Sequence, residues 1–280
     1  MRKLIAAVAA GAALVAVPAA PAAAAPDVTK PPSSIKAGAG LLSLNGRTIW
    51  KSKADTKRPI ASLTKVMTAI VVLRTETDLD RPIKIKRKYT TYGDKWGATE
   101  ARLVVGDRVK VRDLLYGTLL ESGADAAAAL ADTYGPGYDG FVKKMNAEAK
   151  RLGLANTKYA NFDGLPYPSQ YSTYSTAASQ VKLGRYALRF PTLKKIFATK
   201  KITVRSLNDR SYTWKNTNTL IGKYEGGLGI KTGYTSKAGY CLLFAAQRGK
   251  KIQIGVILGA PTASRRFTDA TRLLNWGFGI

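Results

Sequence analysis

The sequence contains no histidine. That removes Ser-His-Asp and Cys-His catalysis, HExxH zinc chemistry and every other His-ligated metal site. No metal and no cofactor is expected. A nucleophile in this chain must find another base. Lysine is the obvious one, if burial or a neighbouring cation lowers its pKa. Cysteine is almost as scarce. Cys241 stands alone, so no intrachain disulfide can form. It lies in the apolar run Tyr240-Cys241-Leu242-Leu243-Phe244, which marks a buried strand thiol rather than a nucleophile. No internal repeat of fixed period is visible.

Acidic side chains are few, 18 against 45 Lys and Arg, for a net charge of +27. In a cytosolic protein that charge points to nucleic acid. Here the N-terminus points elsewhere. Arg2 and Lys3 precede an apolar run, Leu4 to Val17, which Pro18 and Pro21 break. Ala22 to Ala25 then offers an A-x-A-like cleavage site. This is the layout of a secretory signal peptide over residues 1–25. The alternative is an uncleaved anchor, but the run is shorter than the ~20 residues a spanning helix needs. The expected location is extracytoplasmic, in the cell wall or secreted. The partners of a basic surface there are anionic wall polymers and lipid head groups, with no nucleic acid. A solvated surface that only keeps the protein soluble accounts for the charge equally well.

Hydrophobic residues at 45% and charged residues at 22% are ordinary for a globular domain. Residues 26–36, rich in Pro, Ser, Thr and Lys, read as a linker. Residues 37–280 read as the folded domain. Leu41–Leu44, Asn45-Gly46 and Arg47–Trp50 form a hairpin pattern with a two-residue turn. Ser62 to Leu73 has a helical period at Leu63, Val66, Ala69, Ile70 and Leu73. Val111–Leu120, Asp125–Thr133, Tyr138–Leu152 and Thr176–Leu188 also look helical, with Gly135-Pro136-Gly137 as a breaker. A turn-rich loop, Asn161-Phe162-Asp163-Gly164-Leu165-Pro166, lies between them. Strand patterns return at 201–206, 211–215, 228–232, 239–247 and 252–258, before a closing helix from Thr262 to Trp276. The predicted fold class is α/β in the broad α+β sense. An antiparallel sheet from 37–75 and 200–280 is flanked by helices, with a mainly helical insertion over about 76–199.

Three short motifs carry chemistry. In Ser62-Leu63-Thr64-Lys65, residues three apart share a helix face, so Lys65 Nζ can reach the Ser62 hydroxyl. A helix start also favours developing negative charge at Ser62. The same spacing recurs at Ser33–Lys36, in the linker, and at Ser179–Lys182, without a supporting motif. Lys231-Thr232-Gly233 closes a strand pattern. Its Lys supplies a fixed cation, its Thr a hydroxyl for a carboxylate, and its Gly lets a ligand approach the strand edge. In Glu121-Ser122-Gly123-Ala124-Asp125, Ser122 is placed to relay a proton, or Ser122 or Asp125 caps the next helix.

Together these form an ordered set: S-x-x-K, then S-x-x about sixty residues on, then K-T-G about a hundred further, as in β-lactamases and penicillin-binding proteins. The chain resembles the D-alanyl-D-alanine carboxypeptidase family, the low-molecular-mass penicillin-binding proteins. The likeness covers Pro59–Ala69, Leu114–Gly123 and Gly227–Cys241, and runs from about residue 37 to the C-terminus. It is strongest to the short, single-module D,D-peptidases and transpeptidases of actinomycetes.

The resemblance implies a serine D,D-peptidase acting on peptidoglycan stem peptides ending in D-Ala-D-Ala, with β-lactams as acylating inhibitors. Ser62 would be the nucleophile and Lys65 its base. Ser122 and Lys231 would pass a proton to the leaving amine. The N–H groups of Ser62 and Tyr234 would form the oxyanion hole, beside Gly233. Thr232 would hold the terminal carboxylate with Arg266, with Arg265 as the fallback. Lys65 and Lys231 would flank one small site, and two desolvated cations lower each other's pKa.

The sequence departs from the family at Ala124, where Ser-x-Asn is usual. One lost neutral hydrogen bond costs roughly 0.5–1.5 kcal/mol, so slower acylation is expected, regained by Asn. A class A β-lactamase would need a deacylating Glu in an E-x-x-x-N context. Glu76, Glu100, Glu121, Glu148 and Glu225 all lack it. A D,D-transpeptidase using the same acyl-enzyme remains the serious alternative. A catalytically weak penicillin-binding or wall-binding protein is the other.

Overall fold

A computed structural model describes residues 30–280. The expected signal segment, 1–25, lies outside the described residues.

The hairpin forms as the sequence predicts. Strands β1 (Ala39–Leu44) and β2 (Arg47–Ser52) join through Asn45 and Gly46, with φ of 47° and 90°. Two successive positive φ values make the tight turn whose twist suits a hairpin. These strands belong to a five-stranded antiparallel sheet, in the order β2-β1-β11-β10-β9. The other three strands come from the end of the chain: β9 (Gly227–Thr235), β10 (Gly239–Arg248) and β11 (Lys251–Ala260). β9 is an edge strand, and the Lys231-Thr232-Gly233 motif sits on it.

Near-continuous apolar runs in β10 and β11 follow from burial on both faces. Leu42, Leu242, Phe244 and Ile257 pack on Ala270, Leu273 and Leu274 of α8 (Ala263–Gly279). Leu41, Leu243, Ile254 and Val256 join the larger core on the other face. There α6 (Ala177–Ala187) comes close at Gly184, where a Cβ would stand 3.1 Å from Ile230 and 3.2 Å from Leu243. Each large aliphatic side chain buried in this way contributes roughly 1.5–3 kcal/mol.

Three small two-stranded ribbons brace the helical region. They are β3 (Arg58–Pro59) with β6 (Tyr174–Ser175), β4 (Pro82–Lys84) with β5 (Arg108–Lys110), and β7 (Lys201–Arg205) with β8 (Ser211–Lys215). Only the last is visible as a sequence pattern, because two- and three-residue strands have no measurable period. The helices there are α1 (Lys65–Thr75), α2 (Arg87–Thr90), α3 (Val111–Tyr116), α4 (Ala124–Tyr134), α5 (Gly137–Arg151), α6 and α7 (Pro191–Ala198). The helical period predicts one apolar face on α1. Instead Val66 to Val72 is buried without a break, because α4, α5 and α6 surround it. The segment just before β1 is pinned onto α8 rather than loose. Lys36 N–H donates to the buried Asp269 at 2.8 Å, and Arg272 Nη1 donates to Ser34 Oγ at 3.0 Å. Among the described residues, no helix is long and apolar enough to cross a membrane.

Candidate active site

Ser62 lies in a 3-10 turn, Ala61–Thr64, that leads directly into α1. The expected serine–lysine contact is present. Lys65 Nζ is 3.1 Å from Ser62 Oγ and donates to the carbonyl of Asp163 at 2.9 Å. The turn is strained, with φ of 47° at Ala61, a non-glycine residue. The 161–166 loop holds it in place. Gly164 has φ of 84°, and a Cβ there would lie 1.9 Å from the Ala61 carbonyl oxygen. Only glycine fits this contact. Thr68 on α1 donates to the carbonyl of Phe162, which ties the same loop to the helix.

Lys65 is 1% exposed. Burial pushes its pKa below 10.5, while the charges of Asp163 and Asp125 work against the shift. In its free-amine form Lys65 has a lone pair for the Ser62 proton and two N–H bonds, one of them for the Asp163 carbonyl. That is the state a general base requires.

Lys231 is also 1% exposed, and its Nζ donates to the Thr232 carbonyl at 3.1 Å. Burial pushes its pKa well below 10.5, and the charges of Lys65 and Arg266 push the same way. Gly233 explains the third position of the motif. A Cβ there would stand 3.0 Å from the Ile60 carbonyl and 3.1 Å from the Ser62 nitrogen. The edge strand can therefore lie against the nucleophile turn only without a side chain. Tyr234, 54% exposed, stacks on Tyr240 with ring centroids 4.3 Å apart.

Ser122 ends a π-type turn, Gly117–Glu121, with φ of 68°. It does not cap the helix that follows. The N-cap of α4 is Gly123, without a side-chain bond. Asp125 does not cap α4 either; it accepts the N–H groups of Ala101, Leu103 and Ala126 at 2.7, 2.9 and 2.9 Å. Ala124 is buried, its N–H donates to Thr99 O at 2.8 Å, and a Cβ on Gly93 would stand 3.5 Å from its own Cβ.

These elements enclose a cleft of about 420 Å³. Ser62, Lys65, Ser122, Thr232, Gly233, Tyr234 and Arg266 line it, and Lys231 lies behind Thr232. Packing separates the two arginines. Arg265 is bound to Asp269 at 2.8 Å and to the Ser34 carbonyl, away from the cleft. Arg266 Nη1 donates to the carbonyls of Gly233 and Cys241 at 3.1 and 3.3 Å, which fixes its guanidinium beneath β9.

Several cleft residues carry no signal in the sequence. Thr217 comes from the segment after β8, and its hydroxyl is 2.7 Å from that of Thr232. Trp96, Leu165 and Pro166 complete the wall. The turn-rich 161–166 stretch is the one visible hint, and its Gly164 is what seats the nucleophile.

The chain matches the D-alanyl-D-alanine carboxypeptidase family over residues 27–262. It is 40% identical over 265 residues to the D-alanyl-D-alanine carboxypeptidase of Streptomyces sp. (strain K15), covering 90% of each chain. It is 35% identical to D-alanyl-D-alanine carboxypeptidase DacC of Escherichia coli (strain K12), covering 98% of this chain and 69% of that one. The crystal structure of the Streptomyces K15 DD-transpeptidase matches with a TM-score of 0.85 at 40% identity, over 90% of this chain and 100% of that one. Penicillin binding protein 6B from Escherichia coli matches with a TM-score of 0.80 at 33% identity, over 90% and 80% of the two chains.

Proposed function

On the premise that this chain belongs to the D-alanyl-D-alanine carboxypeptidase family and is a serine D-Ala-D-Ala carboxypeptidase, we propose that Ser62 is its acylated nucleophile and Lys65 the base that activates it. The observation that carries this reading is the 3.1 Å contact between Lys65 Nζ and Ser62 Oγ, in a site where burial disfavours the ammonium form.

The placement of the groups supports the following reaction. Ser62 Oγ attacks the carbonyl between the two D-Ala residues while its proton passes to Lys65. The N–H groups of Ser62 and Tyr234 receive the oxyanion, worth roughly 3 kcal/mol per donor in comparable enzymes. The proton that Lys65 took passes by way of Ser122 and Lys231 to the leaving amine as the C–N bond breaks. Thr232 and Arg266 bind the terminal carboxylate of the donor. Water then attacks the Ser62 ester, releases the shortened peptide as a carboxylate, and returns the proton to the serine.

Labelled penicillin tests this directly. The adduct is expected on Ser62 by mass spectrometry, and Ser62→Ala is expected to abolish it. A wild-type protein that takes no label, where a known family member does, would favour a wall-binding protein without catalysis.

Transfer of the same acyl group to an amine is the second reading. It is favoured by the likeness to a structure described as a DD-transpeptidase. A product assay on a D-Ala-D-Ala donor, with and without an amine acceptor, separates the two.

The family's peptidoglycan substrate and the Arg2–Ala25 pattern support export, and the surplus of 45 basic over 18 acidic residues suits anionic wall polymers. The domain then spans 37–280, with a sheet region (37–75 and 200–280) framing a mainly helical region of about 76–199, and the expected linker 26–36 leads into it with Ser34 and Lys36 held on α8.

A further inference from the structure

Behind the Ser62–Lys65 pair lies a carboxyl group that the reaction above does not use. Asp163 is fully buried. Its main-chain carbonyl accepts from Lys65 Nζ at 2.9 Å. Its Oδ1 accepts the N–H of Leu165 at 3.1 Å, and its Oδ2 has no hydrogen-bond partner. Asp125 is the other buried acid acting on Lys65, and it is built differently. Both of its oxygens accept backbone N–H groups, three in all, which anchor the extended segment at Ala101 and Leu103. Asp163 is only half satisfied, so hydrogen bonds hold its charged form less firmly than that of Asp125, and its charge depends more on Lys65.

Asp163 does not line the cleft. Its carboxyl bonds only to the N–H of Leu165 and makes no hydrogen bond to Ser62. It therefore cannot activate water at the Ser62 ester. Its influence must pass through Lys65.

The groups around it are few. Burial pushes the Asp163 carboxyl above the usual carboxylate range, and the charge of Lys65 on α1 works against that rise. Tyr92, and Tyr138 on α5, feel the same carboxyl, and burial holds both far above the usual tyrosine range, so they stay neutral. Lys65 in turn faces Asp163, Asp125 and Lys231. The balance at Lys65 lies between burial with Lys231, which expel its proton, and Asp163 with Asp125, which hold it.

We propose that Asp163 is a positioning residue of the Ser62–Lys65 centre, whose carboxylate holds the Lys65 proton from behind and so sets the pH at which Lys65 becomes a free base. Its main-chain carbonyl fixes where Nζ sits, and its side chain fixes when Nζ is neutral. The proposal rests on Lys65 being the general base.

The test is the pH profile of acylation by labelled penicillin, recorded from about pH 5 to 10, across the range in which a depressed lysine titrates. Asp163→Asn keeps the shape, the main-chain carbonyl and an acceptor for Leu165, and removes the charge. Its acid limb is expected to move to lower pH by roughly one unit, so acylation below the limb becomes about tenfold faster. A uniform fall in rate with an unmoved limb would show a merely structural side chain and overturn the proposal. So would a limb moved to higher pH. Asp163→Ser, smaller but still an acceptor, is expected to show the same shift.

A third measurement leaves Asp163 in place. In Lys65→Met the partner cation is gone, so the Asp163 carboxyl is expected to be protonated near neutral pH. An infrared band of a buried protonated carboxyl, absent from the wild type, is the expected sign; its absence counts against the proposal. If the wild type takes no label at all, the reading of Ser62 fails. If the wild type labels and the limb does not move, only the role of Asp163 fails.

Discussion

The hydroxyl oxygens of Thr217 and Thr232 stand 2.7 Å apart, although the residues are fifteen positions apart in the chain. Thr217 Oγ1 is also 3.3 Å from the Leu120 carbonyl. A hydroxyl has one proton to give. If Thr217 gives it to Leu120, Thr232 must donate to Thr217 and has nothing left for a carboxylate. If Thr217 gives it to Thr232, the Thr232 proton is free for the substrate. The free protein makes both contacts in the first arrangement; a bound carboxylate takes the Thr232 proton and selects the second, in which Thr217 turns its own proton to Thr232. Thr217→Val should therefore lower kcat/KM for a D-Ala-D-Ala donor about fivefold to tenfold, the value of one hydrogen bond of ~1 kcal/mol. The loss should appear mainly in KM.

Arg265 and Arg266 are neighbours with opposite tasks. Arg265→Leu leaves Asp269, fully buried, without its side-chain cation. Loss of one partner of a buried pair costs roughly 3–5 kcal/mol, lowered here because Arg265 is partly exposed. Thermal unfolding should show a clear drop in Tm, with penicillin labelling retained at low temperature. Arg266→Leu should reverse the pattern, with a modest change in Tm and a large loss in kcat/KM for the donor.

Gly164 is the test of how the nucleophile is seated. Gly164→Ala forces a Cβ against the Ala61 carbonyl at a positive φ. Strain and overpacking together should destabilise the protein by roughly 2–4 kcal/mol. Urea unfolding checks the stability, and labelling of Ser62 should fall even where the protein remains folded.

Stability should also depend on pH in a defined direction. Lys65 and Lys231 both have folded-state pKa values below 10.5. Between the folded and unfolded values the unfolded chain binds more protons, so stability rises with pH through that window. The contribution is complete above 10.5 and is lost as pH falls through the folded values. Tm measured from neutral to alkaline pH should climb, and Lys231→Met should flatten the climb.

Ala124→Asn should have two effects at once. The amide restores a polar group beside the cleft and should speed acylation by a factor of about two to ten, from roughly 0.5–1.5 kcal/mol. Ala124 is fully buried, so the larger side chain should also lower Tm, as overpacking by roughly 1–3 kcal/mol would. Acylation kinetics and a melting curve check both; an unchanged acylation rate would refute the assigned role of this position.

What the sequence determined by itself was local. The Asn45-Gly46 turn, the apolar runs of β10 and β11, and the apolar stripe of α8 are each written in a few consecutive residues, because turn dihedrals and periodicities act over that range. Ser62-x-x-Lys65 and Lys231-Thr232-Gly233 are of the same kind, since their spacing lets the residues meet within one turn or strand. The absence of histidine narrowed the base to lysine on composition alone.

Tertiary structure decided what depends on distant segments. Nothing local distinguishes Arg265 from Arg266; the helix turns about 100° per residue, and only the packing of α8 against β10 and β11 sends one inward and the other to Asp269. Thr217 and Asp163 carry no motif, yet one reaches Thr232 and the other lies behind Lys65. Ala124 reads in the sequence as one lost hydrogen bond, and the fold adds that it is buried, with its N–H on the Thr99 carbonyl. In each case the partner is a separate segment of chain, and only the close packing of the folded core brings the two together.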